Sequence, residues 1–293
     1  MDKNKKYKLS RKESFAGFLF CLPSILGLLV FFVIPFCVCI YMSFTENIGS
    51  SDFVGLKNYM DVLGSAAFRL AAVNTFRFNL VAVPAIMAVS LAVALLLFRK
   101  LQGYNFFRTV FIFPLVLPAT SVVLFFQIVF SETGMINDIL GWFDISPVNW
   151  MKSSDSFAVL VVLYIWKNSG FNIILFLSAL NSIPREYYEA SDIDGAGKRA
   201  QFFGITLPLI VPYTFFIFII SVINSFKSFR EAYALFGSHP DQGIYMIQHF
   251  MNNNFQNLNY IRLAVGAILI FVVIFILVLL LLGAKNKAGD VEL

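Results

Sequence analysis

Charge is scarce in this 293-residue chain. Asp, Glu, Lys and Arg together make up 13% of it, against 59% for hydrophobic residues, and the mean hydropathy is +0.78. Soluble domains carry roughly a quarter charged residues, so a water-solvated globule is excluded. Cysteine is equally sparse. Cys21, Cys37 and Cys39 all fall in one apolar stretch, which excludes a disulfide framework and a thiolate metal site and leaves them as small apolar residues. The two histidines, His239 and His249, lie in polar sequence ahead of the last apolar stretch, where solvation is expected. Asp, Glu and His are missing from every long apolar stretch, although a membrane enzyme or an ion-coupled carrier needs such groups at membrane depth. No His/Cys/carboxylate cluster has metal-ligand spacing, and no Ser-His-Asp order has a nucleophile context. Gly195-Ala196-Gly197-Lys198 looks like the end of a phosphate-binding loop, but Asp192 and Arg199 stand where that loop requires Gly and Ser or Thr. Catalysis by this chain, ATP hydrolysis included, is excluded.

What remains is a membrane protein. Apolar stretches of crossing length, or close to it, run over 15–43, 70–98, 106–130, 157–180, 207–223 and 263–282. Runs of this length suit helices rather than barrel strands, which would be shorter and alternating. The first is too long for a signal-peptide core and no small-residue cleavage site follows it, so it is expected to stay as a helix. The predicted fold is therefore all-α, a single 1–293 membrane domain with six transmembrane helices.

Basic residues divide the loops into two sets. Lys3, Lys5, Lys6, Lys8, Arg11 and Lys12 crowd the tail at 1–13; Arg99, Lys100 and Arg108 mark the second loop, Arg185, Lys198 and Arg199 the fourth, and Lys285 and Lys287 the last segment. The positive-inside rule places these in the cytoplasm, with both termini. The net charge of +5 thus reports orientation and gives no reason to expect nucleic acid. The other loops carry fewer cations over more residues, chiefly Lys57, Arg69, Lys152, Lys227, Arg230 and Arg262.

The segment 182–206, between the fourth and fifth stretches, has the physics of a docking element. Pro184 fits the first turn of a helix, where its missing N–H is no loss, and Glu186 and Glu189 favour the positive end of the helix dipole. Gly195 and Gly197 can adopt positive φ or admit another backbone closely, which predicts a stop and a turn. Ala190, Ser191 and Ala196 add little bulk. A short, small-faced helix between two spans can enter a groove of another subunit and be pushed by it.

The spacing is more specific than the physics. Glu189-Ala190-Ser191, three residues, Gly195, nine residues, Ile205, one residue and Leu207-Pro208 resemble the EAA loop of the membrane subunits of binding-protein-dependent ABC importers. Ser191 stands where a second Ala is usual. Likeness extends over nearly the whole chain and points to the carbohydrate branch typified by the maltose and glycerol-phosphate permeases. It is carried by Tyr41-Met42-Ser43-Phe44, Val54-Gly55-Leu56-Lys57-Asn58-Tyr59, Asn74-Thr75, Gly103, Phe107-Arg108, Pro114, Gly134, Asn137, Leu140, Trp166-Lys167-Asn168, Phe171-Asn172 and Phe226-Lys227-Ser228-Phe229. Gly237-Ser238-His239-Pro240 departs from a Gly-Gly-Pro turn common among relatives, at a loop that faces the binding protein in the family picture.

The resemblance implies a translocation subunit in a bacterial or archaeal cell membrane. Its partners would be a second, homologous permease, two ABC ATPases that bind the ATP and Mg, and an extracellular sugar-binding protein. The chain itself would hold no cofactor. Coupling to the ATPase would fall to Glu186, Glu189, Ala190, Ser191, Asp194, Gly195 and Ala196. The substrate path is sought among polar residues of the spans, which are unfavourable in lipid unless they face a cavity or a helix: Asn168, Asn172, Asn224 and Lys227 foremost, with Arg77, Asn79, Gln127, Lys167, Ser169, Ser225 and Ser228 as further candidates. Amides and aromatic rings suit a neutral sugar rich in hydroxyls. Two alternatives stay open: a polyol-phosphate permease using Arg77 and Lys167 as anion ligands, and a receptor or scaffold that transports nothing.

Overall fold

The computed structural model describes residues 11–47, 49, 52–98, 103–153, 155–227 and 229–289, with side chains from 17 to 283 except those of 227 and 229. Lys3, Lys5, Lys6, Lys8, Arg99, Lys100 and Ser228 lie outside the described residues, as do the side chains of Arg11, Lys12, Lys227, Lys285 and Lys287. Among the described residues the regular structure is helical, apart from an isolated bridge between Thr45 and Phe53. In order the helices are α1 (Arg11–Leu28), α2 (Ile34–Ser43), α3 (Lys57–Gly64), α4 (Ala66–Phe98), α5 (Tyr104–Val116), α6 (Ala119–Val129), α7 (Met135–Gly141), α8 (Ser156–Asn181), α9 (Arg185–Ile193), α10 (Lys198–Gln201), α11 (Leu207–Lys227), α12 (Phe229–Phe236), α13 (Ile247–Gln256) and α14 (Tyr260–Gly289). Five continuous stretches of helix are long and apolar enough to cross a bilayer, and the α5–α6 pair makes a sixth if its two arms are counted as one crossing.

That pair corrects the expectation of a straight third span over 106–130. The two arms meet at 104°, because Leu117 is extended (φ −69°, ψ 137°) ahead of Pro118. A residue before proline is driven out of the α region by the proline ring, and Pro118 has no N–H with which to continue the helix. Proline also explains two π-helical turns, Leu29–Val33 and Phe202–Thr206. In each the following residue, Ile34 or Leu207, bonds five residues back, to Leu29 or Phe202, and is itself followed by Pro35 or Pro208. Widening the turn there accommodates a proline ring that would otherwise press on the preceding turn.

The core is α8 held between α4 and α5 and covered by α11. One cluster joins Ala94, Leu97, Ile173, Phe176, Leu180 and Ile210 towards the α9 end; another joins Phe78, Ile86, Leu160, Tyr164 and Ala232 towards the other. Between helices surrounded by lipid the attraction is close packing rather than release of water, so small residues decide how near the backbones approach. Gly170 is the clearest case. A Cβ there would lie 2.6 Å from the Phe111 carbonyl oxygen and 3.0 Å from the Ile112 Cα. Gly170→Leu is expected to push α5 off α8 and to destabilise the full-length chain by about 1–3 kcal/mol, the usual effect of overpacking. The thermal unfolding midpoint in detergent checks this, and a midpoint equal to the parent's would contradict the packing.

Asparagine amides tie the loops at the α3, α7 and α13 end. Asn74 donates to the carbonyls of Gln242 (2.5 Å) and Tyr245 (3.0 Å), Asn58 to those of Ser43 and Thr45, and Asn137 to those of Ser131, Glu132 and Val148. His239 is exposed, as expected. His249, expected in solvent, is instead 1% exposed: the Met246 N–H donates to its Nδ1 at 3.2 Å, and burial lowers its pKa to about 4. Helical spacing within α13 turns it inward beside Phe250 and Met246. Cys21 and Cys37 are exposed and Cys39 is half-buried, and none of the three is in a disulfide.

Candidate functional site

Two places gather the residues singled out by sequence, one at each side of the α8 core. The first is the loop from α9 to α10. Pro184 sits at the N-cap (φ −59°, ψ 138°), one residue earlier than expected, and Glu186 occupies the first turn. The stop is a Schellman closure: Gly195 takes φ +75°, its N–H donates to the Asp192 carbonyl at 3.2 Å, and the Ala196 N–H donates to that of Ser191 at 3.0 Å. Gly197, offered as a second flexible glycine, is an ordinary N-cap for α10 (φ −71°). Glu186, Glu189, Ala190, Asp194 and Gly195 are exposed, with Ser191 and Ala196 half-buried. Tyr187 and Ile193 add large exposed apolar surface, Ile193 at 87%.

The loop is nevertheless joined to the bundle. The Tyr188 hydroxyl pairs with Thr206 Oγ1 at 2.8 Å, and Tyr188 packs against the core cluster that includes Leu97, Leu180 and Ile183. Asp192 accepts from Gln201 Nε2 at 2.6 Å and from Lys198 at 3.4 Å, strapping α9 to α10. These bonds, with the Thr206 hydroxyl also donating to the Gln201 carbonyl at 3.4 Å, join α9 to α10 and to the π turn that leads into α11. Asp192, which sequence reasoning used only to dismiss a phosphate loop, is part of that strap.

The second place is a cleft of about 400 Å³ between α4, α8, α11 and α12. Asn168, Asn172 and Asn224, chosen separately from sequence, all line it, together with Tyr164, Phe171 and Ser221. Asn172 is 3% exposed and donates to Ser221 Oγ at 2.8 Å, while Tyr164 donates to the Ser221 carbonyl at 3.1 Å. These three form a finished wall. Asn168 and Asn224 are half-buried at its open side. The fifth span, expected to end at 223, runs on as α11 to Lys227, where the side chain lies outside the described residues, and helix resumes at Phe229 as α12.

That extension supplies Glu231, which sequence reasoning missed. Glu231 lines the cleft at 7% exposure and forms an ion pair with Lys167 of α8. The signal available was the Phe229–Phe236 pattern, whose apolar residues Ala232, Leu235 and Phe236 return at helical spacing. Arg230 also lines the cleft. Arg77 is placed elsewhere: exposed, with its guanidinium 4.4 Å from the centre of the Phe157 ring, it meets neither Lys167 nor the cleft. Asn79 donates to the Thr75 carbonyl and bonds Ser225, a tie between α4 and α11. Gln127 is exposed on α6, and Ser169 is buried against Ser90.

The family of the binding-protein-dependent transport system inner membrane component matches residues 84–286. An arabinooligosaccharides transport system permease protein of Bacillus subtilis is 34% identical over 278 residues, covering 92% of this chain and 88% of that one. A trehalose/maltose transport system permease protein of Thermococcus litoralis is 32% identical over 245 residues, covering 82% and 83%. An sn-glycerol-3-phosphate transport system permease protein of Salmonella choleraesuis is 30% identical over 213 residues, covering 71% and 72%. Among solved structures, a chain of a bacterial alginate ABC transporter crystallised with an alginate pentasaccharide-bound periplasmic protein superposes with a TM-score of 0.86 at 21% identity, covering 94% and 96%, a likeness of fold.

Proposed function

Because the chain belongs to the family of binding-protein-dependent transport system inner membrane components, we propose that it is the translocation subunit of an ATP-driven sugar importer working by alternating access. Two of the three relatives named above carry oligosaccharides or disaccharides in their names, and the feature of this chain that supports the same class is the cleft in which three amides and two aromatic rings face one space. Amides donate and accept at once, which matches the paired character of sugar hydroxyls, and rings offer flat faces to pyranose rings. No charge change at a metal or cofactor is called for. ATP and Mg belong to the partner ATPases, and the chain's own task is to open the cleft to one side at a time.

In this reading α9 is a coupling helix on the cytoplasmic side, with both termini on that side by the positive-inside rule, and α3, α7 and α13 face an extracellular binding protein. Glu186, Glu189, Ala190, Ser191, Asp194, Gly195 and Ala196 form the face offered to the ATPase. A second, homologous permease completes the pathway, which agrees with the way α1 and the π turn after it leave Phe18, Phe20, Phe31 and Phe32 uncovered by the rest of the chain. Lipid and the partner share that surface.

Asn224→Leu tests the cleft. A sugar hydroxyl left without its partner loses about 1–3 kcal/mol, so uptake by the reconstituted importer is expected to fall about tenfold at low sugar concentration, while membrane abundance and ATPase assembly stay level. Uptake that follows abundance alone would assign Asn224 to packing. Arg230 favours a second reading, a polyol phosphate held by its guanidinium. Competition by glycerol phosphate that is lost in Arg230→Gln would establish it over the neutral sugar. Membership of a transport family speaks against the non-transporting scaffold.

A further inference from the structure

Beside α9, next to Leu95 and Phe98 of α4, lies a cavity of about 620 Å³ that the proposed sugar cleft does not include. Its wall is divided in character. Leu95, Phe98, Phe202 and Phe203 are its apolar lining, and Phe203, in the π turn, is 66% exposed. Lys198 and Arg199 are its cationic lining. The Tyr188 and Thr206 hydroxyls, bonded to each other, and Gln201 add neutral polar groups.

The two cations differ. Lys198 is shared between Asp192 at 3.4 Å and Gln201 Oε1 at 3.1 Å, an exposed contact that yields readily. Arg199 is exposed and takes part in no ion pair among the described residues. A guanidinium and an ammonium on adjacent residues beside an aromatic pair, Phe202 and Phe203 packed edge-on at 5.0 Å, present an anion site and a hydrocarbon site within one cavity. A free phosphate would satisfy the first and leave the second wet. An apolar peptide would leave the cations unmatched. Only an amphiphile with an anionic head meets both halves.

We infer that this cavity holds the headgroup of an anionic phospholipid, its phosphate against Arg199 and Lys198 and the start of an acyl chain against Phe98 and Phe203. Binding has a consequence for the loop beside it. A phosphate that draws Lys198 competes with Asp192, the carboxylate that straps α9 to α10, so the charge of the surrounding lipid reaches the helix assigned to the ATPase. The transport reading enters only in assigning α9 to the ATPase; the site itself stands on the geometry, and its test involves no transport.

The full-length chain, purified in neutral detergent with whatever subunits it retains, is titrated with dioctanoyl phosphatidylglycerol, dioctanoyl phosphatidylcholine or inorganic phosphate while its thermal unfolding midpoint is followed. The anionic lipid is expected to raise the midpoint saturably and the other two to leave it in place. Lys198→Gln/Arg199→Gln is expected to need about thirtyfold more anionic lipid for the same shift, in line with the loss of two cations at a membrane surface, and Lys198→Arg/Arg199→Lys to behave as the parent. Where the double neutral variant does not fold, Arg199→Gln alone carries the comparison, since it leaves the Lys198–Asp192 contact intact. An equal shift with inorganic phosphate would replace the lipid by a free anion. An equal shift with phosphatidylcholine, or an undiminished response in the neutral variants, would overturn the site altogether. Loss of the lipid effect with uptake intact would leave the sugar reading untouched, and loss of uptake with the lipid effect intact would leave this one.

Discussion

Gly195→Asp is expected to reduce ATPase association and sugar uptake by at least about tenfold, a difference of 1.4 kcal/mol or more in docking, while the protein reaches the membrane in normal amount. The separation of the two effects comes from the geometry. Gly195 has φ +75°, and a Cβ built on it meets nothing within 4 Å. Asp is among the residues that tolerate the left-handed region, so the free chain bears only a modest strain. A carboxylate would, however, project from the tip of α9 into the space a partner must occupy. Gly195→Ala, with the same backbone constraint and no charge, is expected to fall between the two. Co-purification of the ATPase with tagged chain, alongside uptake, measures it. Normal assembly and normal uptake in the Asp variant would remove α9 from the coupling role.

The Lys167–Glu231 pair carries the other large effect, on stability. Its side chains are 14% and 10% exposed, within a helical bundle where a single buried charge is costly. Lys167→Met leaves the Glu231 carboxylate without its cation, and a loss of roughly 3–5 kcal/mol is expected, with Glu231→Leu, which strands the Lys167 ammonium, close behind. Lys167→Met/Glu231→Leu is expected to recover most of the loss, because an apolar pair of similar volume replaces the ion pair at little net cost. Thermal unfolding of the four proteins forms a double-mutant cycle. Single variants as stable as the parent, or a double variant worse than the sum of the singles, would mean that the pair does not hold α12 over the cleft. Charge reversal, Lys167→Glu/Glu231→Lys, retains the pair and is expected to restore assembly more fully than either single reversal.

Membrane class, helical composition and the short helix and turn of the α9–α10 segment were legible in the sequence because each depends on local properties: the apolar length needed to cross a bilayer, and the proline and glycines that start and stop a short helix. Even the Schellman stop at Gly195 is a local event, decided by one residue that accepts positive φ. Asn168, Asn172 and Asn224 could be picked out one by one as polar groups in apolar runs. Their convergence could not, since it depends on which faces of α8 and α11 pack together. The same holds for Glu231, 64 residues from Lys167 along the chain, and for His249, whose burial is set by how α13 lies across α4 and α14. The 104° break at Leu117–Pro118 lay between the two: proline announces a disturbance, but a proline inside α4, at Pro84, leaves that helix continuous, and only the surrounding packing decides which proline breaks its helix. What the sequence determined by itself was what each segment is and which solvent it requires; which segments meet, and therefore which amides share a cleft and which charges find a partner, was decided by tertiary structure, because contacts between distant parts of a chain are chosen by shape and close packing, which no local pattern encodes.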